Sequence, residues 1–362
     1  MKKNKKQYRY VHLLLVNELK FISRVVNTIN ASENGFCRED HIFVTPHVNV
    51  YDALNEYGNV ILDTEKTNLY KKYAKCSHWI ISHGSISKWQ WITTPKRVLK
   101  KVLYRYWGGS LVTLLKPDPK HPVSYIKDKL RMIAFKRMYG SFAAIGVANI
   151  TDIIDLSRVL KKANYYAMPY AVAGGYEAIA QAKGKKEDDG YLNVLLGHRG
   201  TAEDNHIALL ETLRKFPTDK IKIYVPLSYG DKEYIENVTE YVNKNAFENV
   251  IIVSDFLGYS EYIDLLNRMD IAILDGLGSY ALGNVAILLS LGKTIYLNSE
   301  GIVKEAFDKV GIPCKLIDAL ANQSFEDFCS PIDYTPYEGN ELEMHDYPYY
   351  IEKWKEILAD FE

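Results

Sequence analysis

The segment Leu192-Asn-Val-Leu-Leu-Gly-His-Arg-Gly-Thr201 combines a short apolar run with a glycine-bearing turn, and a helix is predicted to begin after it at Asn205-His206. Short apolar runs of this kind alternate with helical patterns along the chain, which is typical of βα units on mostly parallel sheets. The fold class is therefore predicted to be α/β. The predicted strands are residues 11–16, 41–46, 60–62, 79–83, 102–107, 142–147, 165–169, 192–197, 221–226, 250–254, 271–274, 294–297 and 315–317.

The length of 362 residues exceeds the size at which a single core usually keeps growing, so two domains are expected. Two Rossmann-like domains with parallel sheets are predicted, one over 1–172 and one over 191–330. A linker is predicted over 173–190, because this segment is polar, contains glycine and lacks an apolar period. Residues 331–362 are predicted to form an irregular crossing segment and a terminal helix that packs back toward the N-terminal domain.

The charges of the chain are segregated, although its formal net charge is zero. Residues 1–170 contain 28 Lys and Arg against 12 Asp and Glu, whereas the remainder contains 17 basic and 33 acidic residues. A basic half indicates a surface that meets anions such as phosphates, polyanions or acidic lipid headgroups. Docking of two domains through opposite charges explains the same segregation.

Composition excludes several classes of protein. The first apolar run, residues 11–16, is far shorter than the roughly 20 residues of a membrane span and does not resemble a signal peptide. The four cysteines lack the paired spacing of a zinc site or a disulfide framework, which favours free thiols in a reducing cytoplasm. These cysteines are Cys37, Cys76, Cys314 and Cys329.

Two loops are candidates for a phosphate site, because ligands of open parallel sheets bind beyond the carboxyl ends of strands. In the first loop, Gly197 and Gly200 would let the backbone approach a phosphate, and Arg199 and His206 would add charge or hydrogen bonds. The spacing matches neither a P-loop nor a dinucleotide fingerprint. A purely structural glycine turn explains the same residues.

The second candidate loop is Leu274-Asp-Gly-Leu-Gly-Ser-Tyr-Ala-Leu-Gly-Asn284, which leads into an apolar helix. Gly283 and Asn284 are predicted at the start of that helix, where amide groups point toward an anion. A glycine-loosened turn without a ligand remains the alternative. The predicted donor and phosphate-binding residues are Gly197, His198, Arg199, Gly200, Asn205, His206, Tyr259, Asp275, Gly283 and Asn284.

In the front half, His83 is predicted at the carboxyl end of a strand beside Gly84, facing the cleft, where its imidazole takes a proton near neutral pH. A histidine that forms a structural hydrogen bond in a turn explains the same position. Basic residues interleaved with aromatic ones follow, and they suit a membrane surface, an isoprenoid diphosphate or a nucleic acid. Nucleic acid is disfavoured because no recognised binding module accompanies the charge, and a solvated basic face is the alternative. The predicted acceptor and membrane residues are Arg105, Trp107, Lys127, Lys129, Arg131, Lys136 and Arg137.

Several short segments, in the same order along most of the chain, resemble the TDP-N-acetylfucosamine:lipid II N-acetylfucosaminyltransferase family, glycosyltransferase family 56. They include Ser82-His-Gly84, Tyr104-Arg-Tyr-Trp-Gly-Gly109, Tyr259-Ser-Glu-Tyr-Ile-Asp-Leu-Leu266 and Gly283 before the apolar helix. The resemblance implies a GT-B fold, an inverting transfer without a metal, a nucleotide-sugar donor in the C-terminal domain and an undecaprenyl diphosphate-linked acceptor at the N-terminal domain. The chain departs from the family at Ser110, where the family tends to have Asp, and it lacks an acidic residue for the ribose in the helix after Gly283.

These observations together predict a glycosyltransferase that moves a sugar, a deoxy amino sugar being one candidate, to a lipid-linked or surface-polysaccharide acceptor. His83 is the predicted base, and no cofactor, metal or nucleic acid is expected. An anionic membrane surface is an expected partner, so the protein is predicted to be cytoplasmic and peripherally attached to the inner face of the plasma membrane. Rival interpretations are a nucleotide-sugar epimerase, a pyruvyl or polyol-phosphate transferase, and a non-catalytic scaffold of a polysaccharide assembly complex.

Overall fold

The computed structural model describes residues 8–107, 122–169, 175–186 and 188–362, except for the side chains of residues 88 and 122–124. Gly109 and Ser110, which the sequence analysis mentions, lie outside the described residues. The chain divides into two compact units. The first unit contains Met1–Ala171 and Tyr347–Glu362, and the second contains Val172–Asp346.

The first unit is built on a sheet of seven parallel strands in the order β3-β2-β1-β4-β5-β6-β7. The order reverses between β1 and β4, as it does in doubly wound α/β folds. The strands are β1 (Tyr8–Leu14), β2 (His41–Thr45), β3 (Val60–Leu62), β4 (Ser77–His83), β5 (Val102–Arg105), β6 (Ala144–Val147) and β7 (Tyr165–Ala167).

Helices cover both faces of this sheet, because neighbouring residues of a buried strand point to opposite sides. Val11 and Leu13 of β1 enter one apolar cluster, and Tyr10 and Leu14 enter the other, which also contains Trp354 of the C-terminal helix. The helices between the strands are α1 (Leu19–Asn30), α2 (Val48–Leu54), α3 (Leu69–Tyr73), α4 (Lys88–Thr93), α5 (Lys96–Leu99), α6 (Pro122–Tyr139) and α7 (Ile150–Ser157).

The second unit repeats this plan with six parallel strands in the order β10-β9-β8-β11-β12-β13, and its order reverses between β8 and β11. Its strands are β8 (Leu192–Leu196), β9 (Ile221–Pro226), β10 (Val250–Val253), β11 (Ile271–Leu274), β12 (Thr294–Leu297) and β13 (Lys315–Leu316). Its helices are α8 (Gly175–Ala182), α9 (His206–Leu213), α10 (Lys232–Lys244), α11 (Tyr259–Arg268), α12 (Leu282–Ser290), α13 (Ile302–Val310) and α14 (Phe325–Cys329). The last helix, α15 (Tyr347–Asp360), belongs to the first unit.

The α/β prediction is confirmed, and each predicted strand corresponds to one of the thirteen described strands. The predicted linker is wrong in part, because α8 occupies Gly175–Ala182 within it and buries Ile179 and Ala182. Asp204 does not cap a helix as its position suggests. A short 3-10 turn ends at Asp204, and Asn205 caps α9 instead. Among the residues that the structure describes, no helix has both the length and the apolar composition that crossing a membrane requires.

Three histidines form a hydrogen-bonded row inside the first unit. Nδ1 of His12 lies 3.2 Å from Nε2 of His83, and Nε2 of His12 lies 2.9 Å from Nδ1 of His41. A neutral imidazole donates through one nitrogen and accepts through the other, so three neutral rings satisfy both hydrogen bonds when their protons point the same way along the row. Protonation of the central ring leaves it with no acceptor nitrogen.

The prediction that His83 faces a cleft and takes a proton near neutral pH is wrong. Its side chain has no exposed surface, and its ring stacks on Trp354 with the ring centres 6.0 Å apart. Burial, with a smaller contribution from the nearby charge of Arg105, lowers the pKa of His83 to about 3. Burial also lowers the pKa of His41 to about 4 and that of His12 well below its usual value. All three imidazoles are therefore neutral in the folded protein at pH 7.

These lowered pKa values predict that the protein loses stability as the pH falls from about 6.5 toward 4. In that range the unfolded chain binds protons that the folded imidazoles refuse, so each histidine lowers the free energy of unfolding by up to about 1.4 kcal/mol per pH unit. Buried Asp152 and half-buried Glu343, whose pKa values are raised by burial, act in the opposite direction. Urea unfolding at about pH 7 and about pH 5 measures the difference.

An unfolding free energy that is equal at the two pH values would contradict the neutral histidine row.

Candidate functional site

The candidate site of the second unit lies where its strand order reverses. Strands β8 and β11 are neighbours there, with Ile271 beside Val194 and Ile273 beside Leu196. Because both strands are parallel, the loop after β8 and the loop after β11 leave the same edge of the sheet. In doubly wound sheets this reversal point opens a crevice in which ligands bind. The two loops are the ones that the sequence predicts as phosphate-binding.

The glycines of the first loop are needed for packing within the unit. Gly197 has a φ of +73°, and a Cβ there would overlap with the imidazole of His206. A Cβ at Gly200 would overlap with Ile235, and Gly200 forms a bridge with Gly230. These contacts give a structural reason for both glycines, and their approach to a phosphate stays a prediction.

His206 is not a charged phosphate ligand, in contrast to the prediction. Its side chain is fully buried, and its Nδ1 lies 3.2 Å from the hydroxyl of Tyr234. Burial lowers its pKa to about 4, which the charge of Asp204 only partly offsets. A neutral imidazole under Gly197 supports the loop from inside the unit.

Asp204 connects the polar side chains of the first loop. Its Oδ1 accepts a hydrogen bond from Nδ1 of His198 over 2.7 Å, and its Oδ2 accepts one from the hydroxyl of Thr201 over 3.0 Å. Nε of Arg199 lies 3.5 Å from the same carboxylate. Burial raises the pKa of Asp204, but its bond and charge interaction with His198 outweigh that effect and hold the pKa below its usual value. The carboxylate is therefore ionised, and it orients the imidazole of His198 and the guanidinium of Arg199.

Asp275, which follows β11 directly, connects the end of β11 with the start of α9 and the end of β12. Its Oδ2 accepts a hydrogen bond from the amide of Asn205 over 3.2 Å, and its Oδ1 accepts one from the amide of Asn298 over 2.6 Å. Asn205 has a φ of 50° and caps α9, while Asn298 follows β12. Asp275 thus positions the loops around the site.

A cavity opens between the two loops. The guanidinium of Arg199 stacks over the ring of Tyr280, 4.5 Å from its centre, and both side chains face this space. Of the predicted donor residues, His198, Arg199 and Asp275 line it. The other lining residues are Glu203, Asp204, Leu274, Gly276, Gly278, Tyr280, Ala281, Val285, Leu297 and Val303.

Helix α12 begins at the rim of this cavity. Ala281, which caps the helix with a φ of 56°, and Val285 in its first turn both line the cavity. The first N–H groups of any helix lack an acceptor within the helix and carry a partial positive charge. Gly283 lies in this turn, and no atom of the protein is within 4 Å of the position that a Cβ would take there.

Asn284 lies in that turn and Tyr259 begins α11, and neither residue lines the cavity. The amide of Asn284 donates to the hydroxyl of Tyr262 over 2.8 Å, which ties α12 to α11. Burial raises the pKa of Tyr262 to about 12, so the hydroxyl remains protonated. Tyr259 is the first residue of α11 and is exposed.

In the first unit the strand order reverses between β1 and β4, and an accessible histidine lies close to that point. His47 follows β2, the neighbour of β1, and is half-buried. Its Nε2 lies 3.3 Å from the carbonyl oxygen of Leu15, which follows β1. A carbonyl only accepts, so Nε2 carries the proton and the neutral ring keeps a lone pair on Nδ1.

The predicted acceptor and membrane residues separate into buried and exposed groups. Arg105 is buried at the end of β5 and donates to the carbonyl oxygen of Tyr106, so it does not face a membrane. Trp107 is half-buried, with its ring against Phe21. Arg137 is also half-buried and donates to backbone carbonyls. The exposed members are Lys127, Lys129, Arg131 and Lys136.

Three residues that contribute to these sites were not predicted from the sequence. Tyr280 was inside the quoted second loop, but only the structure shows its ring under Arg199. Asn298 is far from Asp275 in sequence, and no local pattern predicts their hydrogen bond. His47 directly follows the second predicted strand, and His83 is the last residue of the fourth, so position at a strand end was a usable signal.

Comparison with known proteins identifies the kind of protein to which this site belongs. The family model described as "4-alpha-L-fucosyltransferase glycosyl transferase group 56" matches residues 49–361, which is most of the chain. This match confirms the family that the short segments of sequence resemble.

Solved structures share the fold at low sequence identity. A glycosyltransferase from Rickettsia africae matches with a TM-score of 0.60 and 12% identity over 98% of both chains. Sucrose-phosphate synthase from Thermosynechococcus elongatus matches with a TM-score of 0.59 and 13% identity over 97% of this chain and 98% of its own. Anabaena HepE, in complex with UDP and glucose, matches with a TM-score of 0.59 and 9% identity over 98% of this chain and 100% of its own. The chain therefore belongs to glycosyl transferase group 56 and is a glycosyltransferase with the GT-B fold.

Proposed function

We propose that the protein transfers a sugar, a deoxy amino sugar being the first candidate, from a nucleoside diphosphate to a lipid-linked or surface-polysaccharide acceptor. The observation that carries the proposal is the cavity at the reversal point of the second sheet, where Arg199 and the first turn of α12 meet. The crystallised complex of Anabaena HepE with UDP and glucose, on the same fold, supports a nucleotide-sugar donor.

The diphosphate of the donor is proposed to bind at the amide groups of Gly283 and Asn284, with Arg199 as the neighbouring cation. The half of the chain that contains this unit has 33 acidic against 17 basic residues, so its overall charge does not attract an anion. Binding here therefore depends on local groups, namely the amide dipoles and one oriented guanidinium. The carboxylates that line the cavity do not oppose binding equally. Asp204 and Asp275 already accept hydrogen bonds from the protein, and Glu203 is exposed.

Transfer breaks the bond between the anomeric carbon and the diphosphate oxygen, so negative charge grows on the leaving group. Fixed dipoles and a fixed cation stabilise that charge without reorganising, which lowers the barrier. We propose that these groups replace a metal ion and that the acceptor attacks from the opposite face, with inversion at the anomeric carbon.

The acceptor hydroxyl loses a proton during the attack, and a base on the acceptor side assists. We propose His47 for this role in place of His83, because His47 is partly accessible and its free nitrogen is Nδ1. His83 has no exposed surface and is engaged with His12.

The proposed acceptor class and cellular localisation rest on the basic first half of the chain. Exposed Lys127, Lys129, Arg131 and Lys136 favour contact with an anionic bilayer or an acceptor diphosphate. We therefore propose a bacterial enzyme of cell-envelope polysaccharide synthesis, peripherally attached to the inner face of the plasma membrane.

Gly283→Val tests the donor site. The valine side chain fits beside the helix, since the space is open, but it covers the amide groups that hold the diphosphate. Affinity for TDP or UDP is expected to fall at least about tenfold, or about 1.4 kcal/mol, in calorimetric titrations. Glu240→Val, which introduces the same side chain on the exposed face of α10, leaves affinity unchanged. Wild-type affinity in Gly283→Val would rule out this position for the diphosphate.

His47→Gln tests the base. The glutamine amide retains a donor toward Leu15 but cannot take a proton, so turnover is expected to fall about 100- to 10,000-fold while nucleotide affinity stays the same. His78→Gln, at the other end of β4 from His83, is the matched exposed control. Near-normal turnover of His47→Gln would contradict this assignment and place the base at another residue.

A further inference from the structure

Five large apolar side chains are exposed together on two packed helices of the first unit. They are Trp89 and Ile92 of α4 and Ile126, Leu130 and Ile133 of α6, here called the apolar ridge. Each is between 59% and 64% exposed. Contiguous apolar surface of this kind on a folded unit marks a place where something docks.

Helix α6 has two apolar faces, and only one of them serves the core. Phe135 and Met138 are buried in the unit, whereas Ile126, Leu130 and Ile133 follow one another at spacings of four and three on the outward face. Such spacing aligns side chains along one stripe of a helix. The outward stripe is therefore not required for folding.

The two helices that carry the ridge pack against one another. The guanidinium of Arg137 on α6 donates to the carbonyl oxygen of Trp91 over 2.6 Å and to that of Thr94 over 3.1 Å. Trp91 is itself buried beside Phe135. Trp89 and Ile92, three residues apart on α4, thus add exposed apolar side chains on a helix that packs against α6.

Charge around the ridge selects its partner. In the sequence, the described ranges 88–107 and 122–139 contain 11 Lys and Arg but one acidic residue, Asp128. Asp128 is paired with Arg131 over 2.7 Å. A second copy of the chain packed on this face would bring like charges together. An anionic lipid surface offers apolar depth and negative headgroups at once, as amphipathic interfacial helices require.

We propose that the apolar ridge inserts into the headgroup–acyl boundary of an anionic bilayer while Lys127, Lys129 and Lys136 contact the headgroups. The inference deepens the proposed function, on which its use for a lipid-linked acceptor rests. The insertion itself is independent of the proposed donor site, because it involves only side chains of the first unit.

Flotation with phosphatidylcholine vesicles, with or without phosphatidylglycerol, tests the insertion. Vesicles containing phosphatidylglycerol are expected to bind the protein at low salt, and part of that binding persists at 1 M salt, where the Debye length is only about 3 Å. Leu130→Gln combined with Ile133→Gln is expected to weaken binding at least about tenfold and to abolish the salt-resistant part. The control, Ile61→Gln combined with Ile251→Gln, changes exposed isoleucines of the edge strands β3 and β10 and binds as the wild type does.

Tryptophan fluorescence gives a second readout at the ridge itself. Vesicle binding is expected to shift the emission to the blue, and Trp89→Phe loses most of that shift while still binding. The proposal is overturned if the ridge variant binds vesicles like the wild type, or if the ridge proves to be a dimer interface that the variant dissolves. Titration of the same variant with TDP or UDP separates this proposal from the proposed function. A variant that loses vesicle binding but keeps wild-type nucleotide affinity is impaired at the ridge and not at the donor site.

Discussion

Parallel pairing of β8 with β11 is the constraint on which the proposed donor site depends. It ends both strands at one edge, so that the loop with Arg199 and the loop with Tyr280 leave the sheet side by side. Asp275 then ties the end of β11 to Asn205 and Asn298 on either side. Without this arrangement the first turn of α12 would present its amide groups to solvent rather than to a cavity.

The same constraint supports the proposal that an acidic half of the chain holds an anion. The overall charge of that half is unfavourable, but its effect is long-range and is screened by salt. Near the cavity, Asp204 is engaged by His198 and lies close to Arg199, and Asp275 is engaged by two amides. What remains for a ligand is one guanidinium stacked on an aromatic ring and a helix terminus, which act over short distances.

The alternation of short apolar runs with helices was sufficient to predict all the described strands and the fold class, because backbone pairing depends on pattern more than on individual side chains. Individual roles were less predictable. His83 has the strand-end position of a base, yet its orientation is determined by His12 and Trp354, which are distant in sequence. Gly197 has the position of a phosphate-loop glycine, yet the reason for it is the buried ring of His206. The apolar stripe of α6 was not predicted, because its residues lie among basic ones and composition does not show which face of a helix is buried.

Amide hydrogen exchange with and without a nucleoside diphosphate tests the central claim most directly. The account predicts slower exchange on binding in the segments 197–206 and 275–284, with Gly283 and Asn284 most affected, and no change along the carboxyl ends of β1 and β4. Protection that is absent from these segments while the nucleotide is bound, or that lies only in the first unit, would contradict the donor site described above.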